Sequence, residues 1–169
     1  MKIHHAHEDV NKTIEYIKFA GVISGILVVA WFIAGSTGIF SVPYMMAVMG
    51  VFLIVFALFQ LTGYKSFVDM FPEYDPIARV VPGYAHLYPF IGILLGGFYI
   101  FDIGDVWRDG FTAFILLVGA IGVYINIQKD GSRPHCACLG NIIKLPLSWI
   151  TFFEDAIMGI MALLMLLVL

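Results

Sequence analysis

The amino-acid sequence predicts an all-α integral membrane protein, a bundle of five transmembrane helices, and two observations carry this prediction. Of the 169 residues 61% are hydrophobic and only 12% are charged, whereas soluble domains carry about 25% charged residues. The apolar residues also fall into five runs that are long enough to cross a bilayer. Because a water-soluble core could not bury this much apolar surface, we expect the lipid bilayer to be the surrounding solvent.

The five predicted spans are joined by short polar connections. We place them at residues 17–39, 44–61, 85–103, 111–127 and 148–169. Residues 1–16 form a polar, histidine-containing N-terminal tail, and we read the whole chain, 1–169, as one domain.

The connection between the second and third spans has a different character. Phe67, Met70, Phe71 and Tyr74 recur at helical spacing among charged residues, and the pattern is stopped by the pair Asp75-Pro76. This pattern predicts a short amphipathic helix lying in the membrane interface.

The distribution of basic residues predicts the orientation of the bundle. Of the nine Lys and Arg residues, eight fall on the side that holds the N-terminus, and only Arg108 falls on the other. Basic residues concentrate in cytoplasmic connections, so we expect a bacterial inner-membrane protein with a cytoplasmic N-terminus and an external C-terminus. The net charge of -3 and the lack of a basic patch argue against a nucleic-acid partner.

Both cysteines lie in the connection between the fourth and fifth spans, which is predicted to be cytoplasmic. Cys136 and Cys138 flank one alanine, and His135 precedes them. A disulfide across one intervening residue is strained, and the cytoplasm is reducing. Thiolates are ligands for soft metals, so the spacing favours a shared soft cation such as Cu(I), with His135 as a third ligand.

Other polar residues add candidates to this prediction. The cluster His4, His5 and His7 lies on the same predicted side and is either a metal-capturing segment or a solvated tail. Glu154 and Asp155 lie inside the fifth span, where ionisable residues are costly. Three interpretations of the two carboxylates are open: they line an ion path beneath the cysteines, they pair with Lys144 or Arg79, or they compensate the helix dipole. Gln60 is a candidate for interhelical hydrogen bonding.

Several short segments together suggest a family. They are Tyr74-Asp75-Pro76-Ile77-Ala78-Arg79, Tyr84-Ala85-His86-Leu87-Tyr88-Pro89-Phe90, Cys136-Ala137-Cys138-Leu139-Gly140, Leu145-Pro146-Leu147-Ser148 and Glu154-Asp155. Over about residues 44–169 the chain resembles the MauE branch of the DoxX-like membrane proteins. The resemblance implies a small helical bundle linked to thiol redox chemistry or protein maturation, since MauE itself supports maturation of disulfide-rich methylamine dehydrogenase. Relatives that carry an N-terminal heavy-metal-associated domain also imply metal traffic; here His4-His5-Ala6-His7 stands in that place.

These observations leave three functions open. The first is binding or transfer of a soft metal ion of the copper or mercury class through the His-Cys-x-Cys loop, with a cytoplasmic metallochaperone as partner. The second is a thiol-disulfide accessory role with a thioredoxin-like partner, which would make the protein a thiol-disulfide oxidoreductase if it is an enzyme. The third is a structural subunit of a homo-oligomer or larger membrane complex. Hydrolase and nucleotide-binding motifs are absent from the sequence.

Overall fold

The computed structural model describes residues 2–35, 38, 41–129 and 149–168, without the side chains of residues 2–12, 82, 129 and 150. All the regular secondary structure in these ranges consists of helices. In chain order they are α1 (Lys2–Ala34), α2 (Val42–Thr62), α3 (Tyr64–Tyr74), α4 (Pro76–Val80), α5 (Pro82–Ile100), α6 (Asp105–Lys129) and α7 (Trp149–Val168). The predicted all-α class is confirmed.

Five of the helices are long and apolar enough to cross a bilayer, as the sequence predicted. The apolar stretches are Thr13–Ala34, Val42–Thr62, Gly83–Ile100, Asp105–Gln128 and Thr151–Val168. At the N-terminus the helix extends further than expected. Since α1 begins at Lys2, residues 2–16 of the predicted tail are the first turns of the first membrane helix.

Two closely packed helix pairs form most of the bundle: α2 packs along α5, and α6 packs along α7. Glycines allow the first pair to approach closely. A Cβ atom added at Gly96 would lie 2.6 Å from Ile54 Cγ1 and 2.8 Å from the Gly50 carbonyl oxygen. Among the described residues α1 packs on α2 alone, so the first span lies at the edge of the bundle.

The predicted amphipathic helix is present as α3, which buries Phe67, Phe71 and Tyr74. The Phe71 ring lies 4.6 Å from the Tyr88 ring of α5. Asp75 then interrupts the helix, and α4 starts at Pro76, where a missing backbone N–H has no cost. The α3–α4 corner is thereby held against the membrane helices by aromatic packing.

The structure corrects the expected boundary of the fourth span. The sequence placed Arg108 and Asp109 in a turn before a helix starting near residue 111, but α6 starts at Asp105 and contains both residues. Arg108 is 2% exposed and Asp109 is fully buried. Charged residues are tolerated at this depth because the guanidinium donates to both Asp109 oxygens, from Nε at 3.0 Å and from Nη2 at 3.3 Å.

Candidate functional site

The residues predicted to carry the chemistry fall largely outside the described part of the chain. Cys136, Cys138 and His135 belong to the connection between α6 and α7, which is not described. The backbone of the N-terminal histidines (His4, His5 and His7) forms the first turns of α1, and their side chains lie outside the described atoms. Their predicted role as soft-metal ligands stays a prediction.

The two ends of the cysteine connection are fixed close together. The ring of Tyr124, near the end of α6, lies 6.0 Å from the Trp149 ring and 5.7 Å from the Phe152 ring at the start of α7. On the same turn of α6, Asn126 Nδ2 donates a 3.1 Å hydrogen bond to the Glu73 carbonyl of α3. The connection therefore leaves and re-enters the bundle at the end where α3 lies.

Beneath this end the helices enclose a cavity of about 50 Å³, which we call the carboxylate cavity. Its polar lining includes Asp75 from the α3–α4 corner, Asp155 from α7, Gln60 from α2 and Thr112 from α6. Along α6 the lining runs from Thr112 to Gly119, which is about 10 Å at helical rise. The fold thus places two carboxylates inside the bundle, towards the end at which the cysteine connection is attached.

Asp75 is held in this cavity by its role at the start of α4. Its side chain is 1% exposed, and its Oδ1 accepts a 2.7 Å hydrogen bond from the Ala78 N–H. Burial raises the pKa of Asp75, and the hydrogen bonds from the Ala78 and Ile77 N–H groups oppose this rise. Gly122 of α6 lets the corner pack closely, because a Cβ there would collide with the Tyr74 carbonyl oxygen and Pro76 Cδ.

Asp155 lines the same cavity as Asp75, and the two carboxylates are close enough to interact electrostatically. Gln60 is 5% exposed, and its Oε1 has no hydrogen-bond partner among the described residues. The role predicted for Gln60 is that of an interhelical donor through its amide Nε2, and it stays a prediction. Arg79, which the sequence offered as a partner for the α7 carboxylates, instead donates to the carbonyl groups of Pro72 and Glu73.

The two adjacent acidic residues of α7 face different spaces. Glu154 lines an apolar cleft of about 720 Å³ between α1, α2 and α7, and it does not line the carboxylate cavity. Successive residues on a helix are rotated by about 100°, which separates the two carboxylates. The sequence alone does not distinguish the roles of Glu154 and Asp155, whereas the geometry gives only Asp155 a place in the cavity.

A second buried polar cluster lies at the opposite end of α6. Arg108 Nη1 donates a 3.2 Å bond to Asp102 Oδ1, in addition to its two bonds to Asp109. The guanidinium carbon lies 4.5 Å from the centre of the Tyr99 ring, a cation–π geometry. Since its charges are paired, we interpret this cluster as structural.

A metal centre built from several acidic, histidine or cysteine side chains is not found in the described ranges. No group of three or more such residues there is arranged to hold an ion. The described histidine side chain, His86, packs edge-on against Tyr64 at 6.0 Å between ring centres.

Asp75 is a member of the site that the sequence pattern does not indicate. Its position before a proline predicts only the end of a helix. An acidic residue that follows an amphipathic aromatic helix and caps the next helix is a usable signal for burial, but its proximity to Asp155 depends on the packing of α6 and α7.

Comparison with known proteins gives one result. A family model described as Methylamine utilisation protein MauE matches residues 16–168. No curated protein and no solved structure gives a significant match. The match includes the carboxylate cavity and the cysteine connection.

Proposed function

The chain belongs to the MauE family of membrane proteins, and from that premise we propose that it is a membrane-embedded accessory protein whose Cys136–Cys138 pair binds or transfers a soft metal ion. The observation that supports the proposal is the pair of thiols, one residue apart, in a connection whose two ends are held together at one end of the bundle.

The ligand chemistry favours Cu(I) over harder ions. Thiolates are soft donors, and Cu(I) accepts two of them. His135 is adjacent in sequence and supplies an imidazole as a third donor. Ligation requires deprotonated cysteines, so metal binding releases protons and strengthens as the pH rises.

The family supplies a second candidate function. The family model carries the description Methylamine utilisation protein MauE. The resemblance to this family implies a role in the maturation of a disulfide-rich partner protein. In that case a thioredoxin-like partner and this protein exchange one disulfide for two thiols: the Cys136–Cys138 bond forms while the partner's disulfide is reduced, or the reverse. The same two cysteines carry either reaction.

A competition titration tests the metal proposal. Reduced protein is titrated with Cu(I) against a chelator of known affinity under anaerobic conditions. We expect Cys136→Ser and Cys138→Ser each to abolish binding, and His135→Ala to weaken it. Equal affinity of the wild type and the double serine variant would refute metal binding at this loop. Trapping of a mixed disulfide by a single-cysteine variant would then support the exchange reaction.

A further inference from the structure

The carboxylate cavity holds two acidic side chains, Asp75 and Asp155, without a basic partner among the described residues. Asp75 is almost fully buried, and the charge that acts on Asp155 is the carboxylate of Asp75. Among the described side chains no Lys or Arg is paired with either residue. Two ionised carboxylates in a low-dielectric interior repel each other and lose their hydration, so such a pair binds a counter-charge or a proton.

Gln60 is a second and independent indication of a ligand. Its side chain is 95% buried, lines the same cavity and presents an oxygen without a hydrogen-bond partner among the described residues. A buried carbonyl oxygen left in this way carries a free-energy cost, because it has lost its hydrogen bonds to water. A cation or a bound proton donor inside the cavity would remove that cost.

We propose that the carboxylate cavity is a binding site for a monovalent cation, a proton or a Na⁺ ion, held by oxygens of Asp75, Asp155 and Gln60. The site is separate from the thiols and does not depend on their function.

The size and the donors of the cavity fit this class of ligand. A volume of about 50 Å³ exceeds the roughly 10–15 Å³ that one water needs on the same measure, so a small ion with a water fits. The atoms of Asp75, Asp155 and Gln60 that can bind a cation are all oxygens, and oxygen ligands favour hard cations over soft ones. Mg²⁺ or Ca²⁺ would need six or more oxygen ligands, whereas Asp75 already uses Oδ1 to cap α4.

Besides Asp75 and Asp155, the titratable side chains that line the cavity are Tyr74 of α3 and Tyr88 of α5. The surrounding helices carry further charged or titratable residues, and the described side chains among them lie outside the lining: Tyr44 on α2, Tyr64, Lys65, Asp69 and Glu73 on α3, Arg79 on α4, Tyr84, His86 and Tyr99 on α5, Asp105, Arg108, Asp109, Tyr124 and Lys129 on α6, and Glu154 on α7. Of these, Arg108 and Asp109 are paired with each other, Arg79 binds carbonyl groups, and Glu154 lines the apolar cleft. The Asp75–Asp155 pair therefore dominates the charge of the cavity.

Two measurements on full-length protein in nanodiscs test the proposal. The first compares thermal stability in NaCl and in choline chloride of equal ionic strength at pH 8. The second records the infrared C=O stretch of protonated carboxyl groups from pH 5 to 9. If Na⁺ is the ligand, the midpoint rises by about 3–6 °C in saturating Na⁺. If a proton is the ligand, Na⁺ has no effect and a protonated carboxyl band is present at pH 7.

Variants assign the response to the cavity. Asp155→Asn should abolish it, while Glu154→Gln, the adjacent residue on the same helix, should leave it intact. Gln60→Leu should weaken the Na⁺ response or shift the carboxyl band, and it replaces Asp155→Asn if that variant does not fold. Wild-type protein that shows neither response would overturn the proposal, as would a response that Glu154→Gln removes and Asp155→Asn retains. The double variant Cys136→Ser/Cys138→Ser should keep the response, which separates this test from that of the thiols.

Discussion

The crossing of α2 and α5 at Gly96 allows a quantitative prediction about packing. A Cβ at this position would lie 2.6 Å from Ile54 Cγ1 and 2.8 Å from the Gly50 carbonyl oxygen, whereas unstrained carbon contacts are about 3.5–4.0 Å. The Ile54 side chain can rotate away, but the Gly50 carbonyl belongs to the helix backbone. The helices must therefore separate by several tenths of an ångström for alanine and by more for leucine.

This geometry places Gly96→Leu at the upper end of the usual cost of overpacking, about 3 kcal/mol. For a chain of this length 1 kcal/mol lowers the unfolding midpoint by about 2–4 °C. We therefore expect Gly96→Leu to lower the midpoint in detergent by about 6–12 °C, as measured by circular dichroism.

The adjacent glycine provides a matched control. A Cβ at Gly97 meets nothing within 4 Å, so Gly97→Leu should change the midpoint by less than about 2 °C, within the range of surface substitutions. Equal midpoints for the two leucine variants would refute the argument that close approach at Gly96 holds α2 and α5 together.

Two further predictions concern topology and pH. In intact bacterial cells a membrane-impermeant maleimide should leave Cys136 and Cys138 unmodified. As a control, a cysteine introduced by Ile103→Cys in the Cys136→Ser/Cys138→Ser background should react. Rapid labelling of the native cysteines would show that the orientation is the reverse of the predicted one. Burial raises the pKa of Asp75 above its ordinary value of 3.8, so the folded state binds this proton more tightly than the unfolded state does. The contribution of Asp75 to the free energy of unfolding should therefore be fully present below pH 3.8 and should be lost as the pH rises through the raised pKa. Asp75→Asn, which keeps a capping side chain, should flatten this dependence in denaturation measured from pH 4 to 8, and an unchanged slope would exclude Asp75 as its source.

The membrane spans could be predicted from the sequence because their signal is local. Each is a long apolar run, and the run itself fixes both helix and burial in lipid. The close contact at Gly96 belongs to the spacing Gly92-x-x-x-Gly96, which indicates a possible packing face within one segment, and α3 follows from its own amphipathic pattern. By contrast, the burial of Arg108 and Asp109 requires that they pair with each other inside α6, and the apolar run alone suggested a later start of that helix.

The candidate site could be predicted only in part, because its members come from four segments. Asp155 was identified by the cost of a carboxylate in a membrane helix. Its partner Asp75 lies 80 positions earlier in the chain, and nothing in the local pattern connects the two. Which of Glu154 and Asp155 faces inward depends on the rotation of α7 against α6, which many apolar contacts decide together.

The apolar cleft between α1 and α7 has a consequence for how this protein should be handled. About 720 Å³ is open there, and in the described residues α1 is attached through α2 alone. We expect acyl chains to occupy such an apolar space in a bilayer, so that hydrocarbon packs against α1 where protein packs against the other helices. The detergent or lipid then supplies some of the packing contacts of the folded state. Stabilities measured in detergents of different chain length should therefore differ, and the packing of α1 on the bundle should be affected most.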